Sequence, residues 1–178
     1  MTLSIIFAPH PIFKQKATPV TAVDDRIRHT IRDMYDVMYA NDAVGIGANM
    51  VGLLERLCVI DTREEGERTP LTLINPEITF TSDDTQTHTE SSLSFPYISA
   101  EIERPRVIRL TYLNEQAEKQ EMEAKDFLAQ VIQHEVDYLN GVTFLDHLSR
   151  TKRDMLLKKM QKQLKLHPPH IHGAHCHH

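Results

Sequence analysis

The stretch from Lys125 to Asn140 constrains this chain more than any other. Its apolar residues recur at helical spacing, and Gly141 stands where a helix end favours a left-handed turn. Within it runs Gln133-His134-Glu135-Val136-Asp137-Tyr138-Leu139-Asn140-Gly141. Helix positions i and i+4 share a face, so His134 and Tyr138 are neighbours and Glu135 lies beside them. Two histidines at that spacing would share a metal, with the Glu next to a metal-bound water. Here Tyr138 occupies the second position. Taken alone, the His-Glu fragment reads as a partly buried polar pair.

The remaining pattern predicts an α+β fold, with short strands that do not alternate with helices. Pro9, Pro11 and Pro19 mark an extended N-terminal arm. Asp24 to Tyr39 reads as a helix, capped by Asp24, with Ile27, Ile31, Met34, Val37 and Met38 on one stripe. Asn41 to Gly52 has too many small residues for a simple helix. Strands are expected at Leu57–Ile60, Leu71–Ile74, Glu77–Thr81 and Val107–Leu113, with a polar turn at Glu64–Pro70. Asp146 to Leu166 reads as a third helix, and a His-rich tail follows from His167.

The 178 residues carry no internal repeat or Gly/Ser linker, so one domain is expected over 1–166, with 167–178 as a tail. The net charge of −5 argues against a general nucleic-acid binder. Cys58 and Cys176 require no disulfide. No apolar run approaches the roughly 20 residues that span a bilayer. The opening MTLSIIFAPHPIF lacks the basic and long apolar regions of a signal peptide. A cytoplasmic setting is the expectation.

Two further segments bear on the His-Glu pair. One is Ala43-Val44-Gly45-Ile46-Gly47-Ala48-Asn49-Met50-Val51-Gly52, and the other is Glu90-Ser91-Ser92-Leu93-Ser94-Phe95-Pro96. With the helix segment, they resemble in order and near-spacing the three signature motifs of the peptide deformylase family. The resemblance spans roughly residues 1–165 and implies that family's fold, with small antiparallel sheets around a central motif helix and a C-terminal helix. It also implies a cleft for the N-formyl-methionyl end of new polypeptides. In the family a divalent metal, commonly iron, is held by one Cys and two His.

The family motifs read G-x-G-L-A-A-x-Q, E-G-C-L-S and H-E-x-x-H. The match places Met50 at the Gln that donates to the developing oxyanion, and Ser92 at the Cys ligand. Leu93 keeps the backbone N–H that is the other oxyanion donor. His134 and Glu135 match a metal ligand and the general acid/base, and Tyr138 replaces the second His ligand. A Ser hydroxyl is a poor anionic ligand beside a thiolate. A Tyr phenolate, with a reference pKa of about 10, is costly near neutrality. Loss of one oxyanion donor costs roughly 3–4 kcal/mol in other enzymes. Standard deformylation is therefore expected to be weak, altered or lost. The alternatives are an active amide hydrolase with an unusual site, holding iron, nickel, cobalt or zinc, and a non-catalytic peptide- or ribosome-binding protein.

Ser92, His134, Glu135 and Tyr138 are expected to form a hydrogen-bonded cluster, and Ser92 with His134 is a candidate nucleophile–base pair. By resemblance, Val44, Phe127, Gln130 and Val131 line the pocket for the substrate side chain. Gly45 and Arg104 are candidate contacts to an N-terminal peptide or small amide. Gln130 reads either as a polar wall of that pocket or as pointing to solvent, and Arg104 equally as a surface charge. Arg150, Lys152, Arg153, Lys158, Lys159, Lys162 and Lys165 give the last helix a basic face. The resemblance allows that face a ribosome contact; a solvated surface is the alternative. The tail, with His167, His170, His172, His175, His177, His178 and Cys176, is composed to chelate transition metals.

Overall fold

A computed structural model of the chain describes residues 3–168. The first helix, α1 (Asp25–Ala40), begins where Asp24 Oδ1 accepts the Ile27 N–H at 2.9 Å. Its stripe of Ile27, Ile31, Met34, Val37 and Met38 is fully buried. The small-residue segment after it forms a short strand, β1 (Gly45–Gly47), and a tight turn at Ala48–Val51. Strand β2 (Leu57–Ile60) has the expected limits.

The two runs expected at Leu71–Ile74 and Glu77–Thr81 are one strand, β3 (Leu71–Thr81). Its pairing slips between Ile74 and Glu77, because Pro76 has no N–H to donate. Asn75 holds the irregularity, its side chain exchanging two hydrogen bonds with the Val20 backbone. Three strands have no counterpart in the sequence reading: β4 (Thr85–Ser92), β5 (Phe95–Pro105) and β7 (Lys119–Lys125). With β6 (Val107–Leu113), they complete two antiparallel sheets. One has the order β1-β2-β3-β6-β7, and the other is the β4-β5 hairpin.

Helix α2 (Asp126–Leu139) lies between two hydrophobic clusters. On one side Ala129, Ile132, Val136 and Leu139 join Cys58, Ile60, Leu73, Ile108 and Leu110 from the larger sheet. On the other, Tyr138 joins Phe13 of the N-terminal arm, the α1 stripe, Phe95 and Phe144. From Ala129 to Leu139 only Asp137 keeps partial exposure. Gly141 ends the helix at φ +76°, and a Cβ there would lie 2.9 Å from the Lys14 backbone. The arm and the helix end can close together only around glycine.

The third helix starts later than the expected Asp146. That residue instead closes a capping box with Thr143 over a short turn, Phe144–His147. Helix α3 (Arg150–Leu166) follows, capped by Ser149, with Leu156 and Met160 buried beneath it. No described helix is long and apolar enough to cross a membrane. The tail assignment falls almost wholly outside the described residues; of its histidines only His167 lies within them.

Candidate functional site

A cavity of 570 Å3 opens between the arm, the β1 segment, the hairpin and α2. Val44, Gly45, Met50, Ser92, Leu93, Phe127, Gln130, Val131, His134 and Glu135 all line it. Three remote stretches of sequence thus converge on one space. Tyr138 sits behind this wall, fully buried, with its ring 5.0 Å from that of His134. Phe144 stacks on His134 as well, at 6.0 Å.

The hydrogen bonds differ from the expected cluster. His134 turns its Nδ1 to Glu90, 2.8 Å from Oε2, and no hydrogen bond joins it to Ser92. Ser92 Oγ accepts the Ser94 N–H at 3.2 Å. The Tyr138 hydroxyl lies by Ser92 without a well-formed hydrogen bond to it, and Glu135 Oε2 is buried without one. The reason is the strength of Glu90 as an acceptor. It takes two bonds from Arg104, at 2.6 and 3.0 Å, and one from Gln130 at 2.5 Å. Charge-assisted bonds of this kind outcompete neutral hydroxyls for an imidazole N–H.

Arg104 is neither a surface charge nor part of the cavity wall. Its side chain is 4% exposed and is clamped between Glu90 and Asp137, with Asp137 Oδ2 2.7 Å away. Asp137 also meets His147 Nε2 at 2.8 Å. Neighbouring register positions explain this burial. Arg104 pairs with Gln86 on β4, and Glu90 follows four residues later on the same face of the hairpin. In the sequence Glu90 stands out only as part of a motif. Its partnership with Arg104, Gln130 and His134 is the site feature that sequence reasoning missed. The alternation of Ile98, Ala100 and Ile102 with Ser99, Glu101 and Glu103, which puts Arg104 on the apolar side, is the sequence signal for it.

Electrostatics separate the two site carboxyls. Burial alone would raise Glu90, but the hydrogen bonds and charges of His134 and Arg104 overcome it and hold the group at about 2. Burial dominates at Glu135, where the His134 charge and the Gly47 N–H offset it only in part, leaving the group at about 7. Gly45 permits this placement, since a Cβ there would come within 2.7 Å of Glu135 Oε1. Burial likewise pushes the Tyr138 phenol well above its usual range.

An ionised Glu90 can only accept, so His134 Nδ1 must donate to it. With Nδ1 protonated, the ring's other nitrogen, Nε2, is the one that carries the lone pair whenever the imidazole is neutral. The site therefore combines one imidazole, a carboxyl that burial biases toward its neutral form, a Ser hydroxyl and the N–H of Leu93. These groups can hold and polarise an amide carbonyl.

The chain matches the family model described as "Polypeptide deformylase" over residues 2–154. It is 52% identical over 174 residues to a peptide deformylase-like protein of Rickettsia conorii, covering 98% of this chain and 95% of that one. It is 44% identical to a peptide deformylase of Phenylobacterium zucineum, covering 90% and 96% of the two chains. Among solved structures, the peptide deformylase of Ehrlichia chaffeensis superposes with a TM-score of 0.89 at 33% identity, covering 93% and 98%. The same enzyme in complex with actinonin gives 0.86 at 35% identity, covering 90% and 96%.

Proposed function

Because this chain belongs to the polypeptide deformylase family, we propose that it keeps a cleft for acylated peptide N-termini in which the family's metal-dependent hydrolysis is weak, altered or lost. The observation that carries this reading is the set of groups around His134. Ser92 lies at the position of the family's Cys ligand, Tyr138 at its second His ligand, and Met50 at its oxyanion-binding Gln.

These donors do not fit the family metal. Among the described residues, no group of three or more His, Cys, Asp or Glu side chains is placed to hold an ion. The Tyr138 phenol is buried and strongly disfavours ionisation. The Ser92 hydroxyl is an intrinsically weak ligand. Met50 lines the cavity but brings no donor toward an oxyanion. What remains serves recognition: the Leu93 N–H toward a carbonyl oxygen, and Glu135 toward a carbonyl or an amide according to its protonation. Without a metal to lower its pKa, water near Glu135 is a poor nucleophile.

The exposed Lys and Arg residues of α3 support a contact with RNA phosphates, as at a ribosome. Residues 1–166 constitute the working domain in this reading, with 167–178 a separate metal-chelating tail.

The test is a deformylation assay on a short formyl-Met peptide, without oxygen and with iron, nickel, cobalt and zinc supplied in turn. Turnover at or below that of Glu135→Ala is expected, with peptide binding retained. The triple change Met50→Gln, Ser92→Cys and Tyr138→His should then create metal-dependent turnover. Strong metal-dependent turnover by the unaltered chain, lost in Glu135→Ala, would instead mean an active deformylase with an unusual site.

A further inference from the structure

The rim of the cavity is tied to the end of α3. Along β5 the pairing jumps from Ser91–Ser99 to Ser92–Phe95, so Pro96, Tyr97 and Ile98 bulge out of the hairpin, and all three line the cavity. Tyr97 sits at φ +68°, a conformation rare for a bulky side chain, and stays 42% exposed. Its hydroxyl donates to the carbonyl of His167, the residue that caps α3, at 2.5 Å. Everything beyond His167 therefore starts at the cavity mouth. The chain runs on from there as Pro168-Pro169-His170-Ile171-His172-Gly173-Ala174-His175-Cys176-His177-His178.

Resting on the peptide-cleft reading above, we infer that residues 169–178 of this same chain dock in the cavity, with Ile171 against its apolar wall, and compete with peptide ligands. The reach is sufficient: Ile171 stands four residues past His167, and four extended residues span about 13 Å. The chemistry matches as well. Leu93, Ile98, Phe127 and Val131 give the cavity an apolar wall, and Ile171 is the one large aliphatic side chain after Leu166. A short tether also holds the segment at an effective concentration of roughly millimolar, so a weak intrinsic fit is enough to fill the cavity. A free ligand then meets only the open fraction of molecules, and its apparent affinity falls in proportion.

The experiment uses the segment's own histidines as the probe, since they are composed to hold Cu2+. The bound ion is paramagnetic and broadens nearby NMR signals. In the full chain with one equivalent of copper bound, the methyl signals of Leu93, Ile98 and Val131 should broaden, while those of Ile108 and Leu110 in the larger sheet keep their width. Replacing His170, His172, His175, His177 and His178 by Gln and Cys176 by Ser should abolish the broadening. Cavity methyls that stay sharp in the unaltered chain overturn the inference. Broadening that survives the replacement puts copper on the cavity's own His88 and His134 and overturns it as well. In a second measurement, Ile171→Ser should bind N-formyl-norleucyl-Ala about twofold or more tighter than the unaltered chain. Equal affinity overturns the competition. Peptide binding by neither protein overturns the peptide-cleft reading, and the competition falls with it, while the broadening still decides the docking.

Discussion

Glu90 and His134, one on a hairpin strand and one on a helix, are locked together with 2.8 Å between Oε2 and Nδ1. The contact sets the imidazole's tautomer and makes Glu90 a stability element. Its folded pKa of about 2 lies below the ordinary 4.5. The folded state therefore releases a proton that the unfolded chain keeps. The resulting stabilisation is present above pH 4.5 and is lost as pH falls through 2. It amounts to about 3 kcal/mol. Urea midpoints measured from pH 5 down to pH 2 should show that loss, and Glu90→Gln should be less stable at pH 5 with a flatter acid limb.

Glu135 has the opposite sign. Burial raises it from 4.5 to about 7, so the folded state holds a proton that the unfolded chain releases. Its contribution is full below pH 4.5 and declines as pH rises through 7. Glu135→Gln, neutral at every pH, should gain on the unaltered protein by about 3 kcal/mol across that interval. Denaturation midpoints of the two proteins at pH 5 and pH 8 measure it; parallel curves would exclude the buried carboxyl as the cause.

The Tyr138 hydroxyl makes no well-formed hydrogen bond although the residue is fully buried. Deleting an orphaned hydroxyl removes a desolvation penalty of about 1–3 kcal/mol while keeping the ring's packing. Tyr138→Phe should therefore raise thermal and urea midpoints, by about 1 kcal/mol at least. A loss of stability would show that the hydroxyl is satisfied in solution, with Ser92 the candidate partner.

Arg104 bridges Glu90 and Asp137 inside the protein. Removing the guanidinium leaves two carboxylates without the cation they share, Glu90 keeping only Gln130 and His134 and Asp137 only His147. Arg104→Met should cost about 3–5 kcal/mol. Arg104→Lys should recover only part of it, since a single ammonium cannot reproduce the bidentate bond to Glu90. Equilibrium unfolding of both variants checks the order.

The legible parts of this chain were those where one residue type meets one environment. The α1 stripe from Ile27 to Met38 and the Leu57–Ile60 strand each bury apolar groups at a fixed period, and both lie where the pattern puts them. Strands β4 and β7 are mostly Thr, Glu, Gln and Lys and gain their form from a paired neighbour, so little of it shows in the local sequence. In the site, the motif positions converge on one cavity, because each is tied to a local turn or helix. The partner of His134 was not legible. Glu90 is distant in sequence, and its claim on the imidazole depends on Arg104, which only the hairpin register brings alongside.

Helix α2 belongs to both hydrophobic clusters at once, Tyr138 facing one and Val136 and Leu139 the other. Neither cluster can melt while the other stands, since each would lose a wall. The two halves of the molecule therefore unfold as one cooperative unit, and the cavity disappears at the same temperature as the fold. A ligand that occupied the cavity beside His134 and Glu135 would then be felt by the whole molecule, and a thermal-shift measurement would read its occupancy directly.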